Sequence, residues 1–237
     1  MVIDANISRI AAMLAQDSAT INLSNRICNV ANKLLGADGS SLSILLSNYL
    51  TSNAATDSEY AFFDEQQLTF ADGPTFDASK SLEPISAHNF RSDIEIEKWP
   101  IFSPIASARG LVSMVAYPMR VATSNLGVLS GYRKTENEIS NKQFVDGVAL
   151  STLSTSLIVQ ELAGKIETSS QEIVGPVSMD QSLIHFAAGK VAEHYNLSTL
   201  ESLVRIRAQA YKSELPITEI ASQIANGNLE IVAEEKK

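Results

Sequence analysis

The chain has 237 residues, 45% of them hydrophobic and 19% charged, the balance of a folded globular protein rather than of a disordered one. Its net charge of −9 argues against a protein that coats nucleic acid non-specifically, because backbone phosphate binding draws on clustered Lys and Arg. No apolar run nears the roughly 18 residues needed to span a bilayer, the first residues lack the pattern of a secretory signal, and the single cysteine permits no internal disulfide, so a cytoplasmic protein is expected.

In chain order, Ile3, Ile7, Ile10 and Leu14 form a short heptad-like stripe, a helix that pairs with another helix or caps a domain. A second helical pattern runs through Ile27, Val30, Ala31, Leu34 and Leu35 and stops at Gly36. Cys28 lies on its apolar side, where a buried small hydrophobe is the expectation. Residues 41–46 (SLSILL) open a sheet. The acids Asp64 and Glu65, and those of 93–97, read as solvated surface. Strands are predicted over 110–120 and 126–133, joined by the polar turn 122–125. Helices followed by several strands predict an α+β domain with an antiparallel sheet. Residues 140–165 are helical and apolar on two sides, with Phe144 and Val148 in one group and Leu150, Leu153 and Leu157 in another. Such a helix packs on two things, here the sheet and the same helix of another subunit. The polar stretch 168–176 ends in Gly-Pro and marks a domain boundary.

Three short helices follow. Ile184, Ala187, Ala188, Val191 and Tyr195 define the first, with Gly189 inside it as a point of close helix contact. Ser198 and Glu201 form a capping box that starts the second near Thr199, whose apolar side is Leu200, Leu203, Ile206 and Ala210. The third begins after Pro216, carries Ile217, Ile220, Ala221 and Ile224, and stops at Asn226-Gly227. Three helices of this size bury little surface alone.

The order Ala187-x-Gly189, Asn196-Leu197-Ser198, Glu201, Ile206-Arg207, Ala210, Ile220-Ala221 and Ile224 resembles the ANTAR domain, an RNA-binding antiterminator module of bacterial regulators. Upstream, QLTFADGP at 67–74, Trp99-Pro100-x-Phe102, Gly110-Leu111-x-Ser113, Tyr117-Pro118-Met119-Arg120 and Leu126-Gly127-x-Leu129 are similar to the GAF domain found ahead of ANTAR in actinobacterial regulators. The sequence departs from these patterns at Lys190 and Phe186, where an apolar residue and a glutamine are usual, at Ser202 for alanine, and at Thr75, where related GAF domains often carry cysteine.

The resemblance implies a GAF-like sensory or dimerisation domain over 1–166, an antiparallel sheet flanked by helices. A linker over 167–176, a small all-α three-helix ANTAR-like domain over 177–232 and a charged tail over 233–237 follow. It further implies a homodimeric regulator that holds RNA stem-loops and prevents a terminator hairpin from forming, with a small-molecule ligand of the first domain left open and no membrane partner. The candidate RNA contacts are Lys190, Arg205 and Lys212. Ser198 is added by the resemblance alone, and Arg207 is counted as a fifth RNA candidate although its angle on the helix also suits an edge contact or an ion pair inside the bundle. Candidate ligand contacts in the first domain are Trp99, Phe102, Arg109 and Tyr117.

Residues 177–232 hold four basic side chains against six acidic ones, a balance of −2. That balance supports an alternative, a small-molecule-binding or scaffold dimer whose helical tail makes protein contacts and no longer binds RNA. No phosphate-binding glycine loop or nucleophile elbow occurs. His185 and His194, nine residues apart on one helix, fall on opposite sides and cannot chelate one metal. No enzyme, metal or cofactor is therefore expected. A helix-turn-helix contact with DNA is disfavoured, since 217–225 contains no Lys or Arg.

Overall fold

The structure, a computed structural model, describes residues 2–16, 22–46, 49–81, 83–136, 139–168, 179–213 and 215–229. The chain divides into two compact units, Met1–Ile173 and Val174–Lys237. The expected linker over 167–176 lies outside the described residues except for Glu167 and Thr168, and the expected tail over 233–237 lies outside them entirely.

The first unit opens with helices α1 (Val2–Gln16) and α2 (Leu23–Leu35). The Asn22 side chain accepts from the Asn25 amide at 2.8 Å to start α2, and Gly36, left-handed at φ 57°, ends it. Strands β1 (Gly39–Leu46) and β2 (Tyr49–Ala55) lead to helices α3 (Ser58–Phe70) and α4 (Pro74–Ser81). Then come β3 (Ile85–Ala87), the short helices α5 (Asp93–Lys98) and α6 (Phe102–Ala108), the hairpin β4 (Ser113–Val121) and β5 (Ser124–Arg133), and the long helix α7 (Asn141–Thr168). The five strands form one antiparallel sheet in the order β2-β1-β5-β4-β3.

Strand alternation deals the side chains to two faces. Leu42, Ile44, Val115, Tyr117, Met119 and Leu129 face a layer built from α1, α2 and α7, where Ile10, Ile27, Leu35 and Leu150 are fully buried. The neighbouring positions Met114, Ala116, Val128 and Tyr132 face the other layer, where α3 to α6 supply Phe63, Ala78, Trp99 and Phe102, with Phe90 beside them. Each such fully buried large side chain stabilises the fold by roughly 1.5–3 kcal/mol relative to exposure. Cys28 is buried as expected, its Sγ 3.7 Å from the Ala54 carbonyl oxygen.

The second unit contains α8 (Met179–Tyr195), α9 (Thr199–Ser213) and α10 (Ile217–Ala225). Asn196, left-handed at φ 51°, closes α8, and Asn226 with Gly227, φ 75°, closes α10. Ala187, Ala188, Val191, Leu203, Ile206, Ala210, Ile217, Ile220, Ala221 and Ile224 are its buried apolar residues. One expectation is overturned: Gly189 is exposed and a Cβ there would meet nothing within 4 Å, so it marks no close helix contact.

Candidate functional site

In the first unit the sheet face toward α3 carries an unusual run of hydroxyls. Ser41 and Ser43 alternate on β1 while Ser130 and Tyr132 alternate on β5, and the pairing of Ser41 with Ser130 across the two strands sets all four on one patch. Helix α3 lowers Asp64 and Gln67 onto it. Ser43 Oγ lies 2.9 and 2.8 Å from the two Asp64 carboxyl oxygens, and Tyr132 Oη lies 3.4 Å from one of them. Ser41 Oγ and Tyr132 Oη are 2.9 Å apart. Gln67 spans the rest: its Nε2 donates to the Phe63 carbonyl oxygen at 3.3 Å and its Oε1 accepts from the Thr75 amide at 2.8 Å, while the Thr75 hydroxyl meets that of Ser130 at 2.9 Å.

Asp64 is fully buried, which corrects the reading of Asp64 as solvated surface. Burial pushes its pKa up, against the opposing pull of hydroxyls from Ser52, Ser43, Ser41 and Tyr132. Burial likewise pushes Tyr132 well above the usual phenol range, with the Asp64 charge adding to the rise. Tyr60, one turn before Asp64, stacks on Tyr132 at 5.5 Å, and a Cβ at Gly39 would run into its ring at 1.9 Å, so a glycine is required there. The available signal in the sequence was the alternation of serines at 41 and 43 in a strand whose other face is Leu42 and Ile44.

The four proposed ligand contacts do not form one pocket. Trp99 and Phe102 are buried in the cluster on the α3 side; the Trp99 indole donates to Asp77 Oδ2 at 2.9 Å, and Phe102 meets Phe90 edge-on at 5.3 Å. Tyr117 is fully buried on the opposite face, beneath α7, where a Cβ on Gly147 would fall 2.2 Å from its ring. Alternation along β4 sets Tyr117 on the odd-numbered side with Val115 and Met119, while Trp99 and Phe102, at the end of α5 and the start of α6, pack against the other face. Arg109 is exposed, its guanidinium 3.7 Å from the centroid of the Phe62 ring. Asp72, inside the 67–74 motif, accepts from the amides of Ile101 and Phe102 at 2.9 and 2.8 Å, so that motif serves to pin α6.

In the second unit the capping box forms as the spacing implies. The Ser198 amide and hydroxyl donate to Glu201 Oε2 at 2.9 and 2.7 Å, and the Glu201 amide donates back to Ser198 Oγ at 3.2 Å. Lys190 donates to the Ile224 and Ala225 carbonyl oxygens at 3.3 and 3.1 Å, where its charge complements the carboxyl end of α10. Arg205 is half-buried over the Tyr195 ring at 5.8 Å, and its Nη1 is enclosed with no hydrogen-bond partner among the described residues. Arg207 is half-buried and Lys212 exposed. A cleft of about 380 Å³ opens between α8 and α10, lined by residues including Lys190, Glu193, Tyr195 and Ile224.

Among the described residues no group of three or more metal-ligating side chains gathers, and no helix is long and apolar enough to cross a membrane. No protein-family model matches the chain, and no curated protein matches it. Among solved structures, a domain assigned to a two-component sensor histidine kinase protein of Sinorhizobium meliloti is similar with a TM-score of 0.52 and 12% identity, covering 62% of this chain and 96% of that one. The GAF domain of an Acinetobacter phosphoenolpyruvate-protein phosphotransferase aligns with a TM-score of 0.48 and 13% identity over 71% of this chain and 96% of that one. The second GAF domain of DevS from Mycobacterium smegmatis gives 0.44 and 14% over 62% and 96%. At 12% identity the first likeness is one of fold alone. The architecture of the first unit, a five-stranded antiparallel sheet flanked by helices, is consistent with a GAF-like fold.

Proposed function

We propose that the protein is a cytoplasmic, non-enzymatic regulator in which a GAF-like sensory or dimerisation unit controls a helical unit that binds RNA stem-loops and influences transcription termination. The observation that carries this reading is the second unit itself. It has three helices, a complete capping box at Ser198 and Glu201, and Arg205 and Lys212 only about 20° apart around α9. Stem-loops present unstacked bases as well as phosphates, a target suited to a unit with few basic groups. In the first unit, α7 exposes Phe144, Val145, Val148, Val159 and Leu162, a surface for a second copy of the same helix.

A second reading has its own support. Lys190, though exposed, is spent on the end of α10 and Arg205 is half-buried, which leaves Lys212 as the exposed base of the three with no hydrogen bond among the described residues. A scaffold dimer whose helical unit contacts protein fits those facts.

Binding of the purified chain to an RNA with two adjacent stem-loops, followed across a salt series, separates the two. Under the first reading affinity falls with salt, and Lys212→Ala weakens binding and shallows the logarithmic salt slope by about one. A folded protein that binds no such RNA at any salt supports the scaffold.

A further inference from the structure

The outer strip of α7 has nearly the same pattern from either end. Phe144, Val145, Val148, Val159 and Leu162 are 37–40% exposed, and Thr152 and Ser156 between them are exposed as well. At about 100° per residue, Val145 and Val159, one before Thr152 and one equally far after it, lie roughly 20° to either side of it. Phe144 near one end and Leu162 near the other both lie roughly 80° to one side, with Val148 at roughly 40° on that side. Lys142 and Gln160, again near opposite ends, both lie roughly 80° to the other side, with Ser156 at roughly 40°. The strip is thus divided lengthwise into an apolar edge and a polar edge, each nearly symmetric about Thr152.

We propose, resting on the reading of α7 as the dimer surface, that it pairs with α7 of a second copy antiparallel, about a two-fold axis at Thr152. A two-fold axis across the helices sets each edge against its own equivalent reversed end for end. An axis along them sets each edge against the opposite one, as the e and g positions meet in a parallel coiled coil. In the antiparallel pair Val145 of one copy faces Val159 of the other and Phe144 of one approaches Leu162 of the other, so ten apolar side chains, five from each copy, are drawn from water. Lys142 lies beside Gln160 of the other copy, and the two Lys142 residues stay about 30 Å apart along the helices. Each ammonium is already bound to its own Asp146 at 2.8 Å. Parallel pairing would lay Phe144 against Lys142 and Leu162 against Gln160. The hydroxyls at the centre need no partner across the axis, since Thr152 Oγ1 donates to the Val148 carbonyl oxygen at 2.9 Å and Ser156 Oγ to that of Thr152 at 3.4 Å. The two charged residues between Val145 and Leu162, Asp146 and Glu161, lie roughly 120° and 180° around the helix from Thr152. The strip therefore offers no charge to a charged partner, and a second copy matches it.

Cysteines placed in the full chain read the orientation, and the native Cys28 is buried and takes no part. Oxidised glutathione accepts the two electrons and two protons as two thiols join, and leaves as reduced glutathione. Thr152→Cys meets its own equivalent in either orientation, so it tests pairing through α7 itself. Val145→Cys and Val159→Cys test the orientation. Antiparallel pairing sets these two against each other and holds two copies of either one about 21 Å apart, beyond the reach of a disulfide. Covalent dimer is expected from Thr152→Cys alone. From Val145→Cys mixed with Val159→Cys before oxidation, it is expected at least tenfold faster than from either alone, with helicity by circular dichroism unchanged. A mixture no faster than Val145→Cys alone overturns the antiparallel axis, while dimer from Thr152→Cys keeps dimerisation through α7 standing. No covalent dimer from Thr152→Cys or from the mixture overturns both.

Discussion

At the scale of single residues, Asp64 is a costly feature of the first unit. A carboxylate buried without a cation loses far more hydration than the serine and tyrosine hydroxyls around it restore. Its folded pKa therefore stands above that of the unfolded chain, near 3.9 for an ordinary aspartate. The stability this group contributes is complete below the unfolded value and is lost as pH rises through the folded one. Asp64→Asn keeps the shape and removes the titration. Its stability relative to the parent, measured by urea unfolding at several pH values between about 4 and 7, is expected to rise with pH and to reach on the order of 1 kcal/mol or more. A constant difference across that range would mean that the carboxyl does not change its protonation on folding. Lys190 and Ser198 make the opposite point: both were read as RNA contacts, and both have a complete local explanation, one closing α10 and the other opening α9. Neither assignment is excluded by that, but neither side chain is idle without RNA.

At the scale of elements, α7 has two faces. Leu150, Ile158, Leu153 and Leu157 pack into the core, while Val145, Val148, Thr152, Val159 and Leu162 recur at spacings of three, four, seven and three and stay exposed. That is the heptad spacing of a helix waiting for a like helix. If the proposed dimer forms through α7, replacing Val148 and Val159 together by Glu shifts the protein from dimer to monomer in sedimentation while leaving its helicity intact; a parent chain that sediments as a monomer, or a dimer that survives the change, would refute pairing through α7. Elements differ in how plainly the sequence announces them. Helix α2 was legible because its apolar positions repeat at helical spacing and Gly36 stops it. Helix α3 was not, because its buried face, Tyr60, Phe63, Asp64, Gln67 and Leu68 at helical spacing, mixes polar with apolar residues and leaves no apolar stripe to read. Strand β3 has only three residues, too few for any alternation to register.

At the scale of the whole molecule, the two units differ in how much core each can call on. The first has a sheet covered on both faces, with two large apolar clusters; the second has three helices and a core of mostly small and aliphatic residues. Residues 1–173 expressed alone are therefore expected to unfold cooperatively in a thermal melt, and residues 174–237 alone to melt lower and less sharply. A shorter chain of 1–173 that fails to fold would show that the two units are not separate folding units. Helices α1, α2, α7 and α8 to α10, the stop at Gly36, the capping box at Ser198 and Glu201, the β4–β5 hairpin, the burial of Cys28 and the double face of α7 could all be read from the sequence, because capping and periodicity are written within a few neighbouring residues. Only the tertiary structure put Asp64 inside, set Tyr117 on the opposite face of the sheet from Trp99 and Phe102, and turned Lys190 onto α10. Those outcomes join residues far apart in the chain, Ser41 to Tyr132 across 91 positions and Lys190 to Ala225 across 35, and a local pattern carries no record of such partners.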